Sequence, residues 1–232
     1  MNIIINQFAG IGDILFTIPI ARYFIKKGHK VTYPTVFEGL DKHFPDITFK
    51  NKQDLDIDYD SKEFIVTKED NLIIPMRWAN EIAKVYYRAC MLSKYMIVNL
   101  PFGLWRTLSW ERDRKKEDRL FSEVLKIKEG ERYRLINNIY MSDGSKKINV
   151  PMNHRIKNIH LKPIEGYTLL DWGKVIENAS EIFIVNSAIL VLMEILTLRC
   201  QQAHIFKRVP MEIDHYNYSY ICSKNYVFED NR

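Results

Sequence analysis

Two hydrophobic periods alternate along this chain. Ile3-Ile4-Ile5 is a short unbroken apolar run, and behind it Ile14, Leu15, Ile18, Ala21, Phe24 and Ile25 recur at steps of three and four. The first pattern fits a buried strand and the second a helix with one broad apolar face, with Gly28 after Lys26-Lys27 as its stop. Pro19 should kink that helix. Between the two, Phe8-Ala9-Gly10-Ile11-Gly12-Asp13 reads as a tight loop. Gly10 and Gly12 let backbone approach whatever lies above, and a helix starting at Gly12 or Asp13 points free N–H groups into that space. The loop is expected to floor an active-site cleft.

The same rhythm continues. Strands are expected at 31–36, ending near Pro34, and at 47–50, 63–66 and 72–76, with a short helix at 37–44 and a longer one at 78–92. Arg77 then sits at a strand end beside the cleft. Residues 95–110 are aromatic without a clear period, and 111–128 form a charged helix closed by Gly130. A second series begins at Tyr133: a strand at 133–140, a polar loop at 141–147, strands at 158–161, 182–185 and 203–206, and helices at 169–179 and 188–198. Successive βα units imply parallel sheets, here two small Rossmann-like, doubly wound α/β lobes facing one cleft, residues 1–130 and 131–232.

Composition narrows the classes. At 232 residues, 47% apolar and 27% charged, the chain is an ordinary globular one. The net charge of +5 comes from interleaved signs, so no basic stripe points to nucleic acid. Cys90, Cys200 and Cys222 are far apart and lack metal-ligand spacing, which suits buried thiols in a reducing compartment. No signal peptide is evident at the start, and the longest later apolar run, Ala188 to Leu198, contains Glu194 and falls short of the ~20 residues that span a bilayer. A cytoplasmic protein is expected, with peripheral membrane contact left open.

Candidate chemistry starts at the glycine loop. Gly10-x-Gly12-x-x-Leu15 lacks the third glycine of a dinucleotide fingerprint, and no Gly-Lys-Ser/Thr ending makes it a phosphate-binding P-loop. Asp13 is a natural helix cap and is also placed for chemistry. Asp54-Leu55-Asp56-Ile57-Asp58-Tyr59-Asp60 would put four carboxylates on one face of a strand, the pairing that an Asp-x-Asp metal site uses on a sugar-nucleotide diphosphate, although a solvated strand or loop is the plainer reading. Ser187 at a helix start offers a hydroxyl and amides to a phosphate. Glu194, seven residues on and interrupting an apolar helix, offers a carboxylate to ribose hydroxyls.

Two stretches carry a resemblance. Gly10-Ile11-Gly12-Asp13-x5-Pro19 resembles the N-terminal signature of the ADP-heptose:lipopolysaccharide heptosyltransferase family, and Asp171-Trp172-x3-Ile176-x2-Ala179-x2-Ile182-x2-Val185-Asn186-Ser187 resembles the helix, strand and polar pair of its second lobe. The chain reads as a short variant, with Ala188 and Val191 where the family has glycine and histidine. The resemblance implies a two-lobed GT-B glycosyltransferase in which Asp13 is the base, with Asn186 and Ser187 on the donor diphosphate. It also places a hydroxyl and a lysine on that diphosphate after Asn138, where Ser145 and Lys146 stand, with Lys162 at a nearby strand end. The expected activity is transfer of a sugar from a nucleotide-diphosphate donor to a glycan or glycolipid hydroxyl, with inversion and with neither metal nor cofactor required. The alternatives are a metal-dependent transferase built on Asp54 to Asp60 and a non-catalytic nucleotide- or sugar-binding module.

Overall fold

Ile3, Ile4 and Ile5 are buried because they lie at the centre of a sheet, with a parallel strand on either side. The computed structural model describes residues 1–67, 70–85, 90–140, 146–151, 154–208 and 221–229. The chain divides into two units, Met1–Glu111 and Arg112–Arg232.

In the first unit, β1 (Asn2–Ile5) leads through the glycine loop to α1 (Ile11–Lys26), β2 (Lys30–Thr35), the single turn α2 (Leu40–His43) and β3 (Thr48–Asn51). There follow β4 (Ile65–Val66), β5 (Asn71–Ile74) and the short helices α3 (Ala79–Ile82) and α4 (Cys90–Met96). The sheet order is β3-β2-β1-β5-β4, parallel except at the β4 edge. Helix α1 runs through Pro19 and buries Ile14, Leu15, Phe16 and Ile18. Phe16 stacks on Trp105 with ring centroids 5.0 Å apart and meets the edge of Tyr95, whose hydroxyl donates to the Phe16 carbonyl at 2.7 Å. The aperiodic aromatic stretch is thus the cover of α1, and it packs as rings rather than as one continuous helix.

One expected element is broken, and one reading left open between strand and loop is decided. The helix expected at 78–92 is broken: a 3-10 turn over Met76–Trp78 runs into α3, and Lys84, at φ 50°, turns left-handed and ends it. The acidic run is not a strand. After a 3-10 turn over Lys52–Asp54, capped by the Asn51 side chain on Gln53 N–H at 3.0 Å, it continues as a loop in which Asp58 accepts from Asp60 N–H at 2.9 Å. Local side-chain bonds of this kind replace a strand ladder.

The second unit starts with α5 (Arg114–Arg119), which widens into a π turn over Leu120–Val124. It continues with β6 (Tyr133–Asn137), a hairpin of β7 (Ile139–Tyr140) and β8 (Lys146–Lys147), then β9 (Lys157–His160), α6 (Gly173–Asn178), β10 (Glu181–Val185), α7 (Ala188–Ile195), β11 (Ala203–Phe206) and β12 (Tyr226–Glu229). Its five-stranded sheet, β12-β11-β10-β6-β9, is parallel throughout. The division falls at 111/112, ahead of the expected 130/131, because α5 belongs to this unit. Arg112 forks onto Glu117 (2.6 Å) and Glu177 (2.7 Å), and Lys116 reaches Asp171 at 2.9 Å. Gly173 makes room for the fork, since a Cβ there would lie 2.5 Å from Arg112 Nη2.

Glu117 is 1% exposed, so its charge depends on Arg112. Arg112→Met should therefore lower the unfolding free energy by about 3–5 kcal/mol, the scale of breaking a buried pair on one side. A urea melt of the second unit's signal reads this, and a loss below about 1 kcal/mol would mean that the carboxylate is not held by this pair.

Candidate active site

The sequence turns polar as soon as β1 ends, yet Asn6 and Gln7 stay buried. The Asn6 N–H donates to Ile74 O and its carbonyl accepts from Arg77 N–H, both at 2.9 Å, so β1 and β5 remain joined past their last paired residues. The Gln7 Nε2 donates to Ala9 O at 2.7 Å and folds the loop back. Gly10 then takes φ 80°, and helix α1 begins at Ile11 rather than at the expected Gly12 or Asp13. A Cβ on Gly10 would lie 2.7 Å from Asp13 Oδ2. The glycine is the N-cap residue, and Asp13 stands in the first helical turn, free of the capping duty that the sequence allowed it.

The Asp13 side chain is 36% exposed, and its Oδ1 lies 3.2 Å from Nζ of Lys94, whose side chain is 5% exposed. Lys94, on α4, also donates to Gln7 Oε1 at 2.6 Å and to the Met76 carbonyl at 3.3 Å. Behind Asp13, Tyr33 is fully buried and shares a short hydrogen bond with Thr17. Burial pushes its phenol pKa well up, and the Asp13 charge adds to that shift. Lys94 was not foreseen from sequence. The signal for it is one cation three residues after Met91 and next to Tyr95 in an apolar, aromatic stretch, since a lysine is rarely buried unless paired.

Arg77 is where its place at the end of β5 puts it. Its guanidinium lies 4.9 Å from the Phe8 ring centre and 5.1 Å from that of Trp78, with Asp60 at 3.5 Å. Lys52 covers Phe8 at 3.8 Å. The acidic loop folds onto the same ring through Tyr59, edge-on at 5.1 Å, and the Tyr59 carbonyl accepts from Asn6 Nδ2 at 3.1 Å. Among the described residues, no three His, Cys, Asp or Glu side chains are grouped to hold a metal ion.

In the second unit the ends of β6, β10 and β11 are tied together. Asn137 Nδ2 donates to Ser187 Oγ at 2.9 Å, and Asn186 N–H donates to Phe206 O at 2.9 Å. The Arg208 Nε donates to the Asn186 carbonyl, and its guanidinium lies 5.6 Å from the Tyr140 ring centre. The Ser187 hydroxyl engages Asn137 and makes no capping bond to α7. Arg208 also escaped the sequence reading; two residues beyond a parallel strand, it stands where ligands of α/β sheets gather. Lys162 is exposed just past β9, on the same sheet edge. Asn138 closes the β7–β8 hairpin, with its carbonyl accepting from Ile148 N–H at 2.9 Å. Lys146 pairs with Tyr140 in that hairpin, and Ser145 lies outside the described residues.

Glu194 is not brought to this edge. Helix α7 runs back along the sheet, and seven residues at ~1.5 Å each carry Glu194 roughly 10 Å from Ser187. Its Oε2 accepts from Ser223 N–H (2.8 Å) and Oγ (2.7 Å), ahead of the first residue of β12. There it borders a cavity of about 520 Å³ with Cys200, Gln201, Lys224 and Tyr226. That cavity lies at the amino ends of β11 and β12, opposite the Asn186-Ser187 turn.

No protein-family model matches the chain, and comparison with curated proteins gives no match. Among solved structures the chain is similar to the glycosyl transferase family 9 protein from Veillonella parvula DSM 2008. The TM-score is 0.51 at 9% identity, over 100% of this chain and 87% of that one. It is also similar to the iron-containing dodecameric glycosyltransferase TibC from enterotoxigenic E. coli H10407, with TM-score 0.49 and 10% identity over 89% of this chain and 58% of that one. The Veillonella parvula likeness shows a shared fold, the α/β architecture of two largely parallel sheets.

Gly10→Ala should cost about 1–2 kcal/mol for the left-handed backbone alone, and more if the Asp13 carboxylate cannot move aside. Chemical denaturation tests this, and an unchanged midpoint would contradict the geometry. Glu194→Ala should lower stability by about 1–3 kcal/mol through its lost bonds to Ser223. A urea melt reads this loss, and an unchanged midpoint would contradict the contact with Ser223.

Proposed function

We propose that this chain is a glycosyltransferase that moves a sugar from a nucleotide-diphosphate donor to a hydroxyl of a glycan or glycolipid, with Asp13 as the base. The observation that carries the reading is the Asp13 carboxylate, partly exposed at the carboxyl end of a central parallel strand, with a glycine beside it and a buried cation behind it. A fold shared with the glycosyl transferase family 9 protein from Veillonella parvula DSM 2008, and the Gly-x-Gly-Asp signature, support it.

In this reading the first unit serves the acceptor, with Arg77 at the end of β5 contributing to its site, and the second unit holds the donor. The acceptor hydroxyl attacks the anomeric carbon with inversion and passes its proton to Asp13 as the new bond forms. The bond from that carbon to the diphosphate oxygen breaks, and the nucleoside diphosphate leaves with the electron pair. Ser187, the α7 N-terminus and Arg208, with Lys162 and the Lys146 segment, meet the charge on the leaving diphosphate, and no metal is required. Among the described residues no helix is long and apolar enough to cross a membrane; we place the reaction in the cytoplasm, with lipid-linked acceptors reached by peripheral contact.

Calorimetry with UDP, ADP, GDP and dTDP, with and without Mg²⁺, tests the donor half: at least one should bind in metal-free buffer. Binding that strictly requires the metal would shift the reading to the Asp54–Asp60 alternative. Release of nucleoside diphosphate from the matching nucleotide sugar tests the base. Asp13→Asn should fold, keep the nucleotide affinity, and lose roughly 10²–10⁴-fold in turnover, the usual contribution of a positioned base. Turnover at the wild-type rate in that variant would remove Asp13 from the mechanism.

A further inference from the structure

We infer that Lys94 is the positioning residue of Asp13, the group that holds the carboxylate in the one orientation in which it acts as base; this rests on the reading of Asp13 given above. Gly10 gives the carboxylate room, because no Cβ stands against Oδ2. Room alone would also let the side chain turn, so a second group must hold it. The Lys94 ammonium has three N–H donors, and it meets three acceptors: Gln7 Oε1 at 2.6 Å, Asp13 Oδ1 at 3.2 Å and the Met76 carbonyl at 3.3 Å. Two of these are neutral and fixed by other bonds. The Gln7 amide is oriented by its donation to Ala9 O at 2.7 Å, and Met76 opens the 3-10 turn after β5.

The third acceptor is the carboxylate that balances the buried charge. Lys94 itself has little freedom, since Ser93 donates to Cys90 O at 2.6 Å and Tyr95 to Phe16 O at 2.7 Å on either side of it. The chain Ala9, Gln7, Lys94, Asp13 therefore closes a ring of polar contacts around the glycine loop and fixes Oδ1. Among the described residues, Lys94 from α4 pairs with Asp13, and the buried Tyr33 phenol from β2 feels the Asp13 charge.

The test has two readouts on the full chain. In ¹⁵N-lysine NMR spectra one ammonium should be protected from exchange, vanish in Lys94→Met, and shift in Asp13→Asn. Nucleoside diphosphate release is then measured with whichever of UDP-glucose, ADP-glucose, GDP-mannose or dTDP-glucose turns over. Lys94→Met, or Lys94→Gln should Met not fold, should slow it by roughly 10- to 100-fold, the scale of an ångström-level misplacement. Nucleotide affinity should stay the same. In the Asp13→Asn background the same change should cost less than about twofold, because the two residues act as one unit.

Equal slowing in both backgrounds, or an ammonium signal indifferent to Asp13→Asn, overturns the inference. A fully active Lys94→Met protein beside an inactive Asp13→Asn protein overturns it while leaving Asp13 as the base. An active Asp13→Asn protein overturns both the base and the catalytic role of Lys94, even where the shifted ammonium signal confirms the contact.

Discussion

A single constraint of parallel sheets arranges both units. Parallel strands are joined by crossovers, and where strand order reverses beside the first strand, no connection covers that strand's carboxyl end. In the first sheet β1 has β2 on one side and the later β5 on the other; in the second, β6 has β9 on one side and the later β10 on the other. The residues that leave these strands are polar and buried, and their backbone and side-chain groups pair at those points. Asn6, Gln7 and the glycine loop stand at the first such point, and Asn137 with Ser187 at the second.

How each unit uses the crevice differs. The first keeps a charge there. A left-handed Gly10 removes the Cβ that would collide with Asp13, and Lys94 supplies the counter-charge from the buried side, so the carboxylate is both accessible and balanced. The buried Lys94 ammonium would face a desolvation cost if unpaired, and the carboxylate beside it offsets that cost while itself staying accessible. The second unit keeps a neutral, donor-rich turn. Asn137 fixes Ser187, and Arg208 brings a cation beside Asn186. In the proposed reading a carboxylate suits proton removal, and hydroxyl, amide and guanidinium groups suit stabilisation of a departing anion.

Much of this was legible in the residues, for reasons that also explain what was not. Continuous apolar runs identified the body of β1 and of β10 because buried parallel strands need them, and β11, apolar but for His204, was placed at Ala203–Phe206 to the residue. The glycine loop was legible because only special backbone geometry makes two glycines useful before a helix. Lys94 was not, because its contact with Asp13 joins residues 81 positions apart through a helix that periodicity drew too early. Glu194 was misjudged for a related reason: a carboxylate in an apolar helix announces a buried partner, but not that the partner is Ser223 at the far edge of the sheet. The division falls earlier because the charged stretch 111–128 includes Arg112 and Glu117, which with Glu177 form a network inside the second unit. The acidic run reads as a strand by alternation alone, whereas Asn51 and Asp58 satisfy its backbone locally.

The central claim is that the chemistry belongs to the two order-reversal points of the sheets. The most direct measurement is the map of backbone amide shifts when the ¹⁵N-labelled full chain is titrated with UDP, ADP, GDP and dTDP in turn. The account predicts a saturable shift of the amides of Asn186, Ser187, Ala188 and Arg208, at the carboxyl ends of β10 and β11. Shifts confined to Thr197–Gln201 and Lys224–Tyr226, around the cavity at the opposite sheet edge, would contradict it.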